Sequence, residues 1–157
     1  MGFEAKFMQE AIALAIQSVN EKNGGPFAAL VVKDGKVIGK GHNTVTSSYD
    51  PTAHAEVNAI RDACQNIQDF QLMDCDIYTT CEPCPMCLGA IYWARPKAIY
   101  YASTKQDAAK AGFDDQFIYD EIELTPRKRK IHTENQMRKS AGSVFEAWAS
   151  KLDKTKY

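Results

Sequence analysis

Two short clusters of the chain combine residue types that bind transition metals with one that moves protons: Thr52-Ala53-His54-Ala55-Glu56-Val57 and Cys81-Glu82-Pro83-Cys84-Pro85-Met86-Cys87. Cys84 and Cys87 stand three residues apart, so on one helical turn both sulfurs face the same way and can share an ion. The partly positive amino end of that helix favours their thiolate forms. His54 is the expected third ligand, from the start of a neighbouring helix. One imidazole and two thiolates offset the charge of Zn²⁺ and leave a fourth position for water, the pattern of catalytic rather than structural zinc. Such an ion brings water to a pKa of about 7, so hydroxide is available at neutral pH.

Glu56 lies two residues from His54, and residues two apart inside a helix do not share a face. The pair works only at a helix end, where both side chains reach over the open terminus. There the carboxylate can take a proton from the water and pass it first to a ring nitrogen and then to a departing amine. Two other metal readings compete. Cys81 as a fourth ligand would close the site and make it structural, a zinc-stabilised binding module without catalysis. An iron–sulfur cluster lacks its fourth cysteine at the ferredoxin spacing, because position 91 is isoleucine. His42 and His132 read as ordinary surface or core histidines.

The elements that must position these residues follow from periodicity. Phe7, Ala11, Ile12, Leu14, Ala15, Ile16 and Val19 recur at helical spacing until Asn23-Gly24-Gly25-Pro26. Phe27 to Val32 and the run from Val37 flank Asp34-Gly35, a hairpin signal. Asp50-Pro51-Thr52 reads as the start of a second helix, with Asp50 or Thr52 as cap. Cys75 to Tyr78 reads as a buried strand, Glu82-Pro83-Cys84 opens a helix that ends at Arg95-Pro96, and Ala98 to Tyr101 reads as a strand. Strand, helix, strand in that length implies a parallel crossover, hence a mixed sheet covered by helices. Beyond Ser103, Ala108 to Ala111 reads as a short helix, Phe113 to Leu124 is ambiguous, and Val144 to Leu152 reads as a terminal helix.

With 157 residues, 45% of them hydrophobic and 25% charged, one domain is expected. There is no apolar run near the roughly 18 residues of a membrane span. The amino terminus lacks a basic start and an apolar stretch, so a cytoplasmic protein is expected. A net charge of −1 speaks against a polyanion partner. Arg127-Lys128-Arg129-Lys130 reads as a solvated stretch. Of five cysteines, Cys64 and Cys75 read as buried thiols.

His-x-Glu followed by Pro-Cys-x-x-Cys is the signature of zinc deaminases acting on nucleobases, and through His54-Ala55-Glu56 and Pro83-Cys84-Pro85-Met86-Cys87 the chain resembles the cytidine deaminase superfamily. The resemblance implies an α/β fold: a three-layer α/β/α sandwich with a mixed five-stranded sheet and zinc between two helix amino ends. Gly24-Gly25-Pro26-Phe27, Asp50 to Glu56, Cys81 to Pro96 and Ala111-Gly112-Phe113-Asp114-Asp115 look like the short single-domain guanine deaminases. The first three blocks are partly shared with the tRNA adenosine deaminases, which need a basic groove that the near-neutral charge does not suggest.

That resemblance implies hydrolysis of a small purine base, guanine, to xanthine and ammonia. Position by position it makes His54, Cys84 and Cys87 the zinc ligands and Glu56 the proton shuttle. Asn43 and the backbone of Ala55 would hold the base's oxygen and ring edge, Phe27 and Trp93 would wall the pocket, and Asp115 would meet the amino edge. Tyr157 would close the pocket. In this branch the carboxyl-terminal segment, here about residues 125–157, can be exchanged between subunits, which implies a homodimer. Read from composition alone, Phe27 and Trp93 are equally good core aromatics, Asp114-Asp115 a solvated turn and Tyr157 a frayed end.

Overall fold

Ala28–Lys33 (β1) is apolar almost without interruption because both faces of the strand are covered. Leu30 and Val32 turn to one side, where they meet Phe7, Met8 and Ala11 of the first helix, Ala5–Asn20 (α1), together with Tyr78. Ala29 and Val31 turn to the other side, into a core with Ala55, Ala59, Ala63, Ile77, Ile91 and Ala94. Asp34 and Gly35 both have positive φ, 50° and 74°, the paired left-handed turn that Asp-Gly favours. It returns the chain as Lys36–His42 (β2), antiparallel to β1.

A short helix, Val45–Ser48 (α2), leads to Ala55–Ile67 (α3), then Asp76–Cys81 (β3), Pro85–Ala94 (α4) and Ala98–Ser103 (β4). The strand order is β2-β1-β3-β4, with β1 antiparallel to both neighbours and β3 parallel to β4. With α1 over one face and α3 and α4 over the other, the layers are α/β/α. The structure, a computed structural model, describes residues 2–156. The chain forms two compact units, residues 1–115 and 116–157.

The sheet has four strands among the described residues, not the five expected. Every regular element after β4 is helical: Lys105–Lys110 (α5), Gln116–Glu123 (α6), a 3-10 turn at Pro126–Lys128, and Arg138–Ser150 (α7). The ambiguous stretch from Phe113 to Leu124 thus holds a helix with no alternating face to add to a sheet. The second helix also starts later than expected. Asp50 accepts hydrogen bonds from the Thr52 N–H at 2.8 Å and its hydroxyl at 2.7 Å. That carboxylate closes a local turn, and α3 begins at Ala55 with His54 in the capping position.

The closest packing in the first unit is between β2 and α3. A Cβ on Gly41 would lie 2.2 Å from the Ala55 carbonyl oxygen and 2.3 Å from the Ala59 nitrogen. Only a bare backbone opposite a small-residue stripe lets the helix settle this low on the strand. That contact sets the first turn of α3 beside the end of β2, where Asn43 follows.

The unit formed by residues 116–157 has no buried residue among α6 and α7. Arg129 Nε donates to the Glu121 and Leu124 carbonyls, and Lys130 N–H to the Glu121 carboxylate, tying the 3-10 segment to α6.

Candidate metal and proton-transfer site

His54 and Cys84 occupy the same structural position on two different helices. Each has extended backbone angles at an N-cap, φ −71° ψ 157° and φ −64° ψ 167°, and neither side chain caps its helix. Pro85 follows Cys84 at the first helical position, where its missing N–H has no cost. The two side chains are therefore free to face each other, and Cys87, one turn on and fully buried, completes the group.

His54 Nδ1 lies 3.5 Å from Cys84 Sγ and 3.4 Å from Cys87 Sγ. A tetrahedral zinc with ordinary Zn–N and Zn–S bonds holds such atoms about 3.6 Å apart. The donor set and its spacing fit zinc. The protons show the same convergence. A hydrogen bond from Cys87 is the chief reason the Cys84 thiol is lowered to about 4, with His54 assisting against burial. The bond to Cys84, together with burial and the nearby Glu56, pushes the Cys87 thiol far up. The bond to Cys84 also raises His54.

Glu56 sits on the second residue of α3, with 6% of its surface exposed. Burial raises its carboxyl above the usual range, opposed by its own backbone N–H and by the Cys87 thiol. Thr79 on β3 donates its hydroxyl to Glu56 Oε1 at 3.2 Å in a buried setting. His54 and Glu56 thus stand at the N-cap and in the first turn of one helix.

Cys81 is not part of the metal group. Its thiol points to the Thr104 carbonyl at 3.6 Å, and burial pushes it up to about 11. The fourth position therefore has no thiolate from Cys81, which removes the argument for a closed structural site. Cys75 is fully buried, Cys64 half-buried, and all five cysteines are free.

The other expected site residues fall in several places. Asn43 is 7% exposed, and its amide oxygen accepts from the Gly25 N–H at 3.1 Å and the Val45 N–H at 3.2 Å. Its backbone N–H donates to the Phe27 carbonyl at 3.0 Å, which ties the two residues together. Ala55, fully buried, opens α3, where first-turn amides have no partner within the helix. Phe27 is half-buried, and Phe113 meets it edge-on with ring centres 5.0 Å apart. Asp115 is half-buried, its carboxyl raised by burial first and by the Cys84 thiolate second.

Trp93 does not join this group in its own chain. It is 65% exposed near the carboxyl end of α4, about 13 Å along the helix from Cys84 at 1.5 Å per residue. Tyr157 lies outside the described residues.

Two contributors escaped the sequence reading. Asn58 donates to the His42 carbonyl at 2.9 Å and the Thr44 hydroxyl at 3.1 Å, fastening α3 to the segment that carries Asn43. Thr79 is a polar residue on the inward, apolar-facing register of β3, and that mismatch is the signal by which alternation could have found it.

Residues 1–103 match the profile of the cytidine and deoxycytidylate deaminase zinc-binding region. Guanine deaminase of Bacillus subtilis (strain 168) is 54% identical over 151 residues, covering 96% of this chain and 97% of the relative. The X-ray structure of guanine deaminase from Bacillus subtilis matches with a TM-score of 0.96 at 52% identity, over 99% of both chains. A tRNA-specific adenosine deaminase of Buchnera aphidicola is 36% identical over 137 residues, 86% of this chain and 90% of that protein. The structure of guanine deaminase from Nitrosomonas europaea matches with a TM-score of 0.69 at 29% identity, over 73% of this chain and 66% of that one. The chain belongs to the cytidine and deoxycytidylate deaminase family.

Proposed function

We propose that this member of the zinc-binding deaminase family hydrolyses free guanine to xanthine and ammonia. The reaction class rests on His54, Cys84 and Cys87 meeting at two helix ends beside the buried carboxyl of Glu56. What carries guanine in particular is the identity of 54% over 96% of the chain to a guanine deaminase, against 36% for the tRNA-specific relative.

His54, Cys84 and Cys87 would hold the metal. Zinc, when bound, supplies a water acidic enough to act as hydroxide at neutral pH. Glu56 takes a proton from the water whose oxygen adds to C2 and passes it to the adjacent ring nitrogen; it then takes the proton of the new C2 hydroxyl and delivers it to the amine, which leaves as ammonia as the carbonyl forms. Its burial suits both halves of that work, since a carboxyl raised above its usual range is a better acid and still a competent base.

Asn43 selects the substrate's edge. With its oxygen engaged by two backbone donors, the amide cannot exchange its ends, and its NH₂ is the group left for the base. That donor suits the carbonyl oxygen of guanine and opposes the amino group that adenine carries at the same place. The Ala55 N–H gives a second donor, Phe27 a face for stacking, and Asp115 an acceptor for the N–H edge. Trp93 and Tyr157 are the remaining candidates for enclosing the base.

In this reading the protein is a cytoplasmic homodimer that exchanges its carboxyl-terminal segment, about residues 125–157. Two observations support a second copy. On the first unit, Ile12, Ile16 and Val19 stand exposed along a groove of about 380 Å³ floored by Ala102 and Ser103 of β4. On the second, Val144, Phe145 and Trp148 of α7 are exposed and nothing is buried. Five free thiols suit a reducing compartment, and no helix among the described residues is long and apolar enough to cross a membrane.

The test is ammonia release by zinc-loaded protein given guanine, adenine, cytosine, cytidine, guanosine or a tRNA anticodon stem-loop in parallel. Selective turnover of guanine is expected. Turnover of the stem-loop alone would replace this reading with the tRNA branch, and zinc without turnover of any substrate would replace it with a binding module. Light scattering of the same preparation gives the mass, and a monomer would remove the exchange.

A further inference from the structure

Strand β3 alternates strictly: Ile77 faces α3 and α4 within the apolar core, while Tyr78 faces α1. Thr79 follows Ile77 on the same face and is 1% exposed. A valine would fill that space equally well, and a buried hydroxyl costs free energy unless it is hydrogen-bonded. Its partner is Glu56 Oε1, at 3.2 Å. We propose that Thr79 is a positioning residue for the proton shuttle: its hydroxyl anchors one oxygen of Glu56 so that the other is presented to the reacting atoms. The proposal rests on the deaminase reading above and deepens it.

Three features make Thr79 a fixed donor. Its backbone is paired on both sides, to Ala29 of β1 and Tyr101 of β4, so the strand cannot shift locally. Its branched Cβ restricts rotation of the hydroxyl. Its neighbour Thr80 faces the other way and accepts from the Ala28 N–H at 3.1 Å, so the two hydroxyls do not exchange roles.

The metal makes this contact more important. The Cys87 thiol also acts on the Glu56 carboxyl, holding it down against burial, and a cysteine that ligates zinc does so as thiolate, with no proton to give. In a loaded site the Thr79 hydroxyl would still hold its proton and its bond to Glu56. A carboxylate without it twists about its last bond, out of the plane that presents an oxygen to the reacting atoms, a loss that falls on the chemical step rather than on binding.

Thr79→Val, which keeps shape and removes the hydroxyl, should lower kcat on guanine about 10- to 100-fold, with KM and zinc content nearly unchanged. Thr79→Ser should restore most of kcat. In a Glu56→Gln background, Thr79→Val should remove little further from the residual rate. An infrared reading needs no turnover: the Glu56 carboxylate band, assigned with labelled glutamate and the Glu56→Gln difference, should shift in Thr79→Val and return in Thr79→Ser. If the valine variant does not fold, Thr79→Ala serves the same comparisons. Unchanged kcat, no rescue by serine, an equal loss in the Glu56→Gln background, or an unmoved band would overturn the proposal. Wild-type protein inactive on guanine would instead overturn the substrate reading, and the band would still decide Thr79.

Discussion

His54 Nδ1 and Cys87 Sγ lie 3.4 Å apart across the amino ends of two helices, each of which begins without a side-chain cap. The positions that usually stabilise a helix start by about 1 kcal/mol are given over to metal ligands. Neither of the two apolar clusters that cover the sheet includes His54, Cys84 or Cys87. Stripping zinc with a chelator should therefore abolish turnover while the far-ultraviolet circular dichroism of the fold persists, and zinc should restore activity. Retention should weaken as pH falls, because His54 and both thiols must lose protons to bind the ion. A metal-free protein that unfolds outright would show the site to be structural.

Glu56→Gln removes the proposed proton carrier and leaves an oxygen for Thr79 to address. Turnover should fall by at least about 100-fold, with zinc still bound at one equivalent. Wild-type turnover in a zinc-loaded variant would end the role given to Glu56.

Asn43 is held by its oxygen, so Asn43→Asp keeps an acceptor for the Gly25 and Val45 amides and replaces the donor with a second acceptor. Facing a guanine carbonyl, that acceptor repels. The expected loss in kcat/KM is about 100-fold or more, judged from sites built to hydrogen-bond their substrates. The cheaper change in appearance, Asn43→Ala, would also strand two backbone donors and confuse binding with stability. A kcat/KM within twofold of wild type for Asn43→Asp would place the base elsewhere.

The cluster of His54, Cys84 and Cys87 is legible in the sequence because it depends on spacing near helix ends, which needs no knowledge of the rest. The hairpin at Asp34-Gly35 is legible for the same local reason. The start of α3 was not, because Asp50 and Thr52 carry cap chemistry that they use on each other. Four strands replaced five because the chain after β4 holds helices whose pattern is weak where charged residues dominate. Trp93 sits in a run that matches the family, yet lies at the far end of the helix whose near end carries Cys84. Thr79 was hidden by its neighbours, since a threonine in a strand is unremarkable until its partner is known.

Two glycines offer a paired test of how the helix layer is fixed. A Cβ on Gly41 would meet backbone atoms of Ala55 and Ala59 at 2.2 and 2.3 Å, and backbone on both sides cannot turn away as a side chain would. Gly41→Ala must lift α3 from β2, which should cost about 3 kcal/mol or more, the upper part of the overpacking range. Because Ala55 directly follows His54 and precedes Glu56, the displacement should also lower zinc affinity and turnover. Gly89, inside α4, has nothing within 4 Å of the same added atom. Gly89→Ala should leave activity in place and stabilise by up to about 1 kcal/mol, the helix preference for alanine. Urea unfolding of both variants beside wild type separates them: opposite shifts in midpoint are expected, and a Gly41→Ala protein as stable as wild type would mean that the strand and helix can part without cost.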